Sequence, residues 1–369
     1  MAEWYEIGDA GGVASPALLV YPDRIGENIR RMVACVGGDV ERLRPHVKTH
    51  KMAEVVRMQM EVGIVKFKCA TLVEAELLGE CGVGDVLVAM QPVGPNVGLL
   101  ADLVGRFPGT RFGAIADDVG AVEVMGREFA GRGLELVVWL DVDCGMGRSG
   151  IVPGEAAVVV YRAICETAGV VPGGVHAYDG HLHLADFAER NAACERDWAK
   201  VEGLVVELRG LGLDVPVVVG SGTPTFPTHA AREAMECSPG TVVLWDAGYG
   251  SGLEDLDYLP AAVLMTRVVS KPGEGRLCLD LGHKSVAAEN PLENRVRLMG
   301  LDDAVSVAQS EEHLVVETAR AGEFVVGDVL YGVPWHVCPT VALHNEAVVV
   351  RDGVVEGRWE VRRGRALRN

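Results

Sequence analysis

Eight short apolar runs alternate with amphipathic stretches between residue 16 and about residue 225, and no other feature of the chain restricts its fold as much. The runs are ALLVY (17–21), RPHVK (44–48), KFKCAT (66–71), DVLVAM (85–90), RFGAIA (111–116), LELVVWLDV (134–142), GVHAY (174–178) and VPVVVGS (215–221). Segments such as DRIGENIRRMVACV, MAEVVRMQME and LVEAELLGE separate them. Apolar strands bounded by helical patterns imply a parallel sheet whose outer face is covered by helices. Eight β/α units in roughly 200 residues fit a (β/α)8 barrel. An open doubly wound sheet would bring a GxGxxG at its first turn, and none is present. After about residue 235 the pattern changes to TVVLWD, AAVLMTRVVS, RLCLDLG, EEHLVVET, EFVVGDVLYGV, EAVVVRDG and VVEGRWEVR, with turn signals such as KPGEG and RDG between them. This predicts an α/β chain: a barrel over 16–235 and an antiparallel β domain over 236–369 that residues 1–15 join.

Charge narrows the partners. The chain carries 34 basic and 52 acidic residues, a formal charge of −18, which argues against nucleic acid or an anionic membrane as partner. The opening MAEWYEIGDAGG shows no signal-peptide pattern, and the longest apolar runs fall well short of the roughly 20 residues of a membrane span. Nine scattered cysteines without a CxxC pair suit reduced thiols and a cytoplasmic location.

Barrel chemistry sits at the C-terminal ends of the strands. The second run ends in Lys48, inside RPHVKTHK. Among apolar walls or beside other cations its amine would lose its proton and attack carbonyls; otherwise it is a snorkelling strand-end lysine. The sixth run ends in DVDCGMGRSG, where Arg148 can reach the barrel mouth. The seventh leads into HAYDGHLH, which places His176, Tyr178, His181 and His183 near the same mouth. The eighth ends in GSGTPT (220–225), a nest of backbone N–H groups suited to phosphate, or a plain tight turn. In the β domain, WHVCPT sets His336 and Cys338 two residues apart. On a strand both would face one way, as half of a zinc-type site or as a core cysteine beside a satisfied histidine. DLGHKS, AENP and SEEH add polar residues at loop ends.

RPHVKTHK, KCATLVEAE, DVDCGMGRSG, YDGH, GSGTPT and HVCPT, in that order over residues 44 to 340, resemble the D-threonine aldolase / D-serine dehydratase family of alanine-racemase-like, fold type III pyridoxal-phosphate enzymes. The resemblance implies that Lys48 carries pyridoxal 5′-phosphate as a Schiff base and that Ser221, Gly222 and Thr223 bind its phosphate. By the same resemblance Arg148 contacts its phenolate oxygen, and Tyr178 lies near its ring. His336 and Cys338 would hold a divalent metal, zinc or manganese with magnesium a third choice. The resemblance also implies a homodimer, with the β domain of one subunit closing the barrel mouth of the other and the active site near the interface.

The expected substrate is a small D-configured β-hydroxy-α-amino acid. The cofactor withdraws electrons from Cα, and the metal acts as a Lewis acid on the β-oxygen. Removal of the hydroxyl proton, for which His181 is the candidate base, cleaves Cα–Cβ to glycine and an aldehyde. Removal of the Cα proton by Lys48 instead expels the hydroxyl, giving a 2-oxo acid and ammonia. His-x-Cys at the metal pair resembles the dehydratases, whereas KMAEVVRMQMEVGIVKFKCATLVEAE, QPVGPN and LGHKSVAAENP resemble the aldolases. The reading places aldol cleavage ahead of elimination, and racemisation third. A non-catalytic pyridoxal-phosphate carrier and a barrel for another phosphate ligand are the readings outside this chemistry.

Overall fold

In the computed structural model, which describes residues 3–368, the first apolar run does not enter the barrel. Strand β1 (Ala17–Val20) pairs antiparallel with a strand at 262–265 and parallel with one at 348–349, both in the second domain. The expectation of a first barrel strand at 17–21 is therefore corrected. A run buried on both faces reads alike whether it belongs to a barrel or to the middle of another covered sheet.

The barrel sheet holds seven parallel strands in sequential order: β2 (Lys66–Cys69), β3 (Asp85–Val88), β4 (Arg111–Ala116), β5 (Leu136–Val142), β6 (Val170–Ala177), β7 (Val217–Gly220) and β8 (Glu236–Cys237). Residues 43–47 close it. Leu43 bridges Cys237 and His46 bridges Lys68, both in parallel, so the RPHV segment spans the gap between β8 and β2. Arg44 N–H donates to the Cys237 carbonyl at 2.8 Å, and Val47 N–H to the Lys68 carbonyl at 2.9 Å. Eight positions thus surround the barrel, with 43–47 the first and the two-residue β8 the last. β8 escaped the sequence reading because two residues show no periodicity.

Leu87, Ile115, Trp139 and Val219 fill the barrel interior. A Cβ on Gly113 would come within 2.4 Å of the Trp139 ring, so that strand position has room only for glycine. At the N-terminal ends of the strands Arg44, fully buried, donates from Nε to Glu236 at 2.6 Å and from Nη1 to Asp85. Arg111 and Lys66 complete the network on Asp85 and Glu236. These charges lie at the end of the barrel away from chemistry, where they hold the first segment to β3 and β8.

By contacts the described residues form two compact units: 32–48, 55–240 and 364–368 in one, and 3–31, 49–54 and 241–363 in the other. The second unit is built on β1 and on β9 (Ala262–Ser270), β10 (Arg276–Leu279), β11 (Val296–Leu298), β12 (Val305–Gln309), β13 (Leu314–Glu317), β14 (Val329–Pro334), β15 (Glu346–Arg351) and β16 (Val354–Glu360). Its path runs β12-β13-β10-β9-β1-β15-β16, with β14 also on β9 and β11 on β14. Every pairing except β1 with β15 is antiparallel. Leu19, Val263, Met265, Val333, Val348 and Val350 form its apolar core. TVVLWD, expected as a strand, begins instead with a 3-10 turn at Thr241–Val243. No helix among the described residues is long and apolar enough to cross a membrane.

Candidate active site

The C-terminal ends of the barrel strands surround a cavity of about 440 Å³ that Lys48, Lys68, Asp141, Arg148, His176 and Tyr178 help to line. Lys48 is half-buried just past the closing segment, and its backbone N–H donates to His46 Nδ1 at 3.2 Å. Tyr178 follows β6 and offers its ring to three cations: Arg148 at 5.0 Å, Lys48 at 5.4 Å and Lys68 at 5.8 Å from the ring centre. Three of the residues expected at the cofactor thus share one cavity. Lys68 was not among them. It is 2% exposed on β2, and the signal for it was a lysine inside the otherwise buried strand KFKC. Burial and then the nearby Lys48 charge bring its amine down to about 7.

Ser221, Gly222 and Thr223 follow β7, and all three are buried. Ser221 adopts φ 73°, a left-handed conformation that costs a non-glycine residue about 1–3 kcal/mol and concentrates at ligand sites. Its hydroxyl is buried with no hydrogen-bond partner among the described residues, and so is that of Ser238 just after β8. Ser238 N–H donates to the Gly220 carbonyl and Gly240 N–H to Thr223 Oγ1, which ties the two loops together. Two orphaned hydroxyls on adjoining loops after the last two strands are the donors a phosphate group needs. The residues present fit pyridoxal phosphate: an amine, a ring wall and an anion cradle.

Asp179 fixes that cradle. Its Oδ1 accepts from Gly222 N–H and Thr225 Oγ1, each at 2.8 Å, and its Oδ2 from His229 Nε2 at 2.7 Å. Burial pushes the Asp179 carboxyl up, but hydrogen bonding to His229, Thr225 and Gly222 outweighs it and holds the group below the usual range. Asp179, Cys194 and His229 lie close enough to ligate one ion. Their atoms already satisfy one another and the loop, so we read them as a clamp. His181 is set apart from the cavity lining: its Nε2 faces Asp197 Oδ2 at 3.1 Å.

In the second unit His336 and Cys338 do come together, though not as strand neighbours. Residues Val337–Val341 form a short helix with His336 as its N-cap, which corrects the strand expectation; a proline at 339 suits a first helical turn. Glu289 Oε1 accepts from His336 Nδ1 at 2.6 Å. A carboxylate on one ring nitrogen orients the other toward a metal. The Cys338 sulfur meets Thr49 Oγ1 at 3.2 Å. Burial works against charge on both groups. Their mutual hydrogen bond and attraction outweigh it, lowering the Cys338 thiol and lifting His336 to about 9. A thiolate and an imidazole with a supporting carboxylate fit a zinc-type ion. Asp246 takes the Val337 N–H at 3.1 Å and so braces this turn.

A family described as "Alanine racemase, N-terminal domain" matches residues 20–247, well over half of the chain. The chain belongs to that family. A "Putative serine dehydratase domain" matches residues 261–350. Across family members, the chain is 29% identical to the 3-hydroxy-D-aspartate aldolase of Paracoccus denitrificans (strain Pd 1222), covering 97% of this chain and 96% of the relative. It is also 29% identical to the D-threonine aldolase of an Arthrobacter species, over 95% and 92%. The crystal structure of D-threonine aldolase from Filomicrobium marinum superposes with a TM-score of 0.88 at 27% identity, over 95% of both chains. The chain is therefore an enzyme of the pyridoxal-phosphate-dependent, alanine-racemase-like fold.

Proposed function

We propose that this chain is a divalent-metal-dependent lyase that cleaves D-configured β-hydroxy-α-amino acids by a retro-aldol reaction to glycine and an aldehyde. The observation that carries the reading is Lys48 in the same cavity as Tyr178 and Arg148, with the orphaned Ser221 hydroxyl on the barrel's phosphate-type loop. The two aldolase relatives, each matched over nearly their whole length, support the choice of chemistry.

Pyridoxal phosphate, held through Lys48, would supply the electron sink for charge developing at Cα. Ser221, Gly222, Thr223 and Ser238 would bind its phosphate, Tyr178 would flank its ring, and Arg148 would balance its phenolate. A divalent ion at His336 and Cys338 would supply Lewis acidity; the thiolate favours zinc, and manganese is the runner-up. His181, held by Asp197 outside the cavity lining, is the candidate base for the β-hydroxyl proton in this reading and would have to turn toward the cavity to act. The working unit is a homodimer in the cytoplasm, and among the described residues the nine cysteines form no disulfide.

Elimination to a 2-oxo acid and ammonia is the second reading, which the Cys338 ligand and the match at 261–350 favour. Product analysis with D-threonine and added zinc or manganese separates the two. Glycine with acetaldehyde supports cleavage, whereas 2-oxobutanoate with ammonia overturns it. Lys48→Ala abolishes the borohydride-fixable covalent attachment of the cofactor in either case. A wild-type protein that takes up no pyridoxal phosphate refutes the whole reading. Sedimentation of the wild-type protein checks the dimer.

A further inference from the structure

Lys68 sits in a chain of side chains that the reading above leaves unused. Asp141 Oδ1 lies 2.7 Å from His176 Nδ1, so that nitrogen carries the proton and Nε2 presents a lone pair. Lys68 Nζ lies 3.4 Å from that Nε2. Asp141 Oδ2 also accepts from Ser149 Oγ. Asp179, the other nearby carboxylate, is taken up by Gly222, Thr225 and His229. Among the described residues Lys68 has no carboxylate of its own within ion-pair distance, although it is almost fully buried.

A buried amine of this kind is stable as a cation only when an anion arrives. The groups facing it are Arg44 from the closing segment and Lys48 just past it, Asp141 and Arg148 from β5 and its loop, and His176, Tyr178 and Asp179 from β6 and its turn. Lys48, Lys68 and Arg148 all stand within 6 Å of the centre of the Tyr178 ring. An aromatic wall bordered by three cations is complementary to a flat ligand that bears negative charge on its ring. We infer that Lys68 is a further cofactor-binding residue, the buried cation that meets the anionic ring oxygen of pyridoxal phosphate together with Arg148. This rests on the proposed cofactor role of the cavity.

The sign of the pH effect follows. The free amine titrates near 7, and an anion beside it raises that value. The Lys68 contribution to affinity is then complete below about pH 7 and is lost as pH rises through the higher value of the complex. The test uses cofactor-stripped full-length protein and 4-deoxypyridoxine 5′-phosphate, which keeps ring, phenol and phosphate but has no aldehyde for Lys48. Calorimetry from about pH 6 to about pH 9 gives Kd for wild type, Lys68→Met and Lys68→Gln. Both variants bind about tenfold or more weakly at the acidic end and lose the wild-type weakening above neutrality. Wild type also takes up a proton on binding near neutral pH, read from the buffer dependence of the heat, and the variants take up less. Folded variants with wild-type Kd at every pH would falsify the assignment, and so would a loss that is equal at every pH. A wild-type protein that binds neither the analogue nor pyridoxal phosphate sinks the proposed function instead.

Discussion

Asp179→Asn isolates the clamp beneath the phosphate loop. The new amide oxygen can keep the Gly222 and Thr225 hydrogen bonds, but as neutral bonds, each weaker by about 1 kcal/mol. The amide nitrogen then faces His229 Nε2, which must accept, so the imidazole proton moves to Nδ1. That atom is buried with no partner among the described residues, and an orphaned buried donor costs about 1–3 kcal/mol. The sum is a destabilisation of about 3–5 kcal/mol in the barrel unit. At about 2–4 °C per kcal/mol for a unit of this size, its thermal transition falls by roughly 6–20 °C. The assay is circular dichroism of cofactor-free protein, with pyridoxal phosphate affinity measured in parallel and expected to weaken by about tenfold or more. Because the carboxylate is held below its usual range in the folded state, its stabilisation is full above about pH 4 and fades as the solution is acidified through the folded value. The gap between wild type and variant should therefore narrow in acid. A variant that melts within about 1 °C of wild type at neutral pH refutes the clamp.

Three further outcomes follow from the same geometry. Arg44→Met strips the shared partner from buried Asp85 and Glu236; Arg111 and Lys66 remain, so urea unfolding should show a loss of about 3 kcal/mol, and an unchanged midpoint would count against the network. Ser221→Ala and Ser238→Ala should each weaken pyridoxal phosphate binding by about three- to tenfold while stability holds or rises, because each removes a buried hydroxyl that has no protein partner; a stability loss with unchanged affinity contradicts the cradle. Metal analysis of purified variants should find His336→Ala and Cys338→Ala depleted in zinc or manganese and Cys194→Ala loaded like wild type. The reverse pattern would transfer the metal to Asp179, Cys194 and His229.

Several parts of the site were legible as letters. Lys48, Arg148 and Tyr178 stand at the ends of strand-like runs, and a barrel gathers strand ends at one mouth whatever the loops do. Glu289 lay in AENP, a stretch marked as polar but without a role until His336 Nδ1 met it. Lys68 was visible as a charge in a buried strand, yet only the fold shows that it points into the cavity that holds Lys48. Asp179 was one letter of YDGH, and the loop and histidine it holds are 43 to 50 residues away.

What the amino-acid order determined alone was the succession of elements and the chemistry at their ends, because period and turn residues act over a few positions. It could not say which sheet receives an apolar strand. ALLV is equally hydrophobic in either place, and its position between β9 and β15 is set by edges formed some 245 and 330 residues later. The same holds for the barrel's closure by 43–47 and β8, for the helical turn under Cys338, and for the cations around Tyr178. Burial and charge proximity arise only when distant segments meet, and these decide whether a lysine holds its proton.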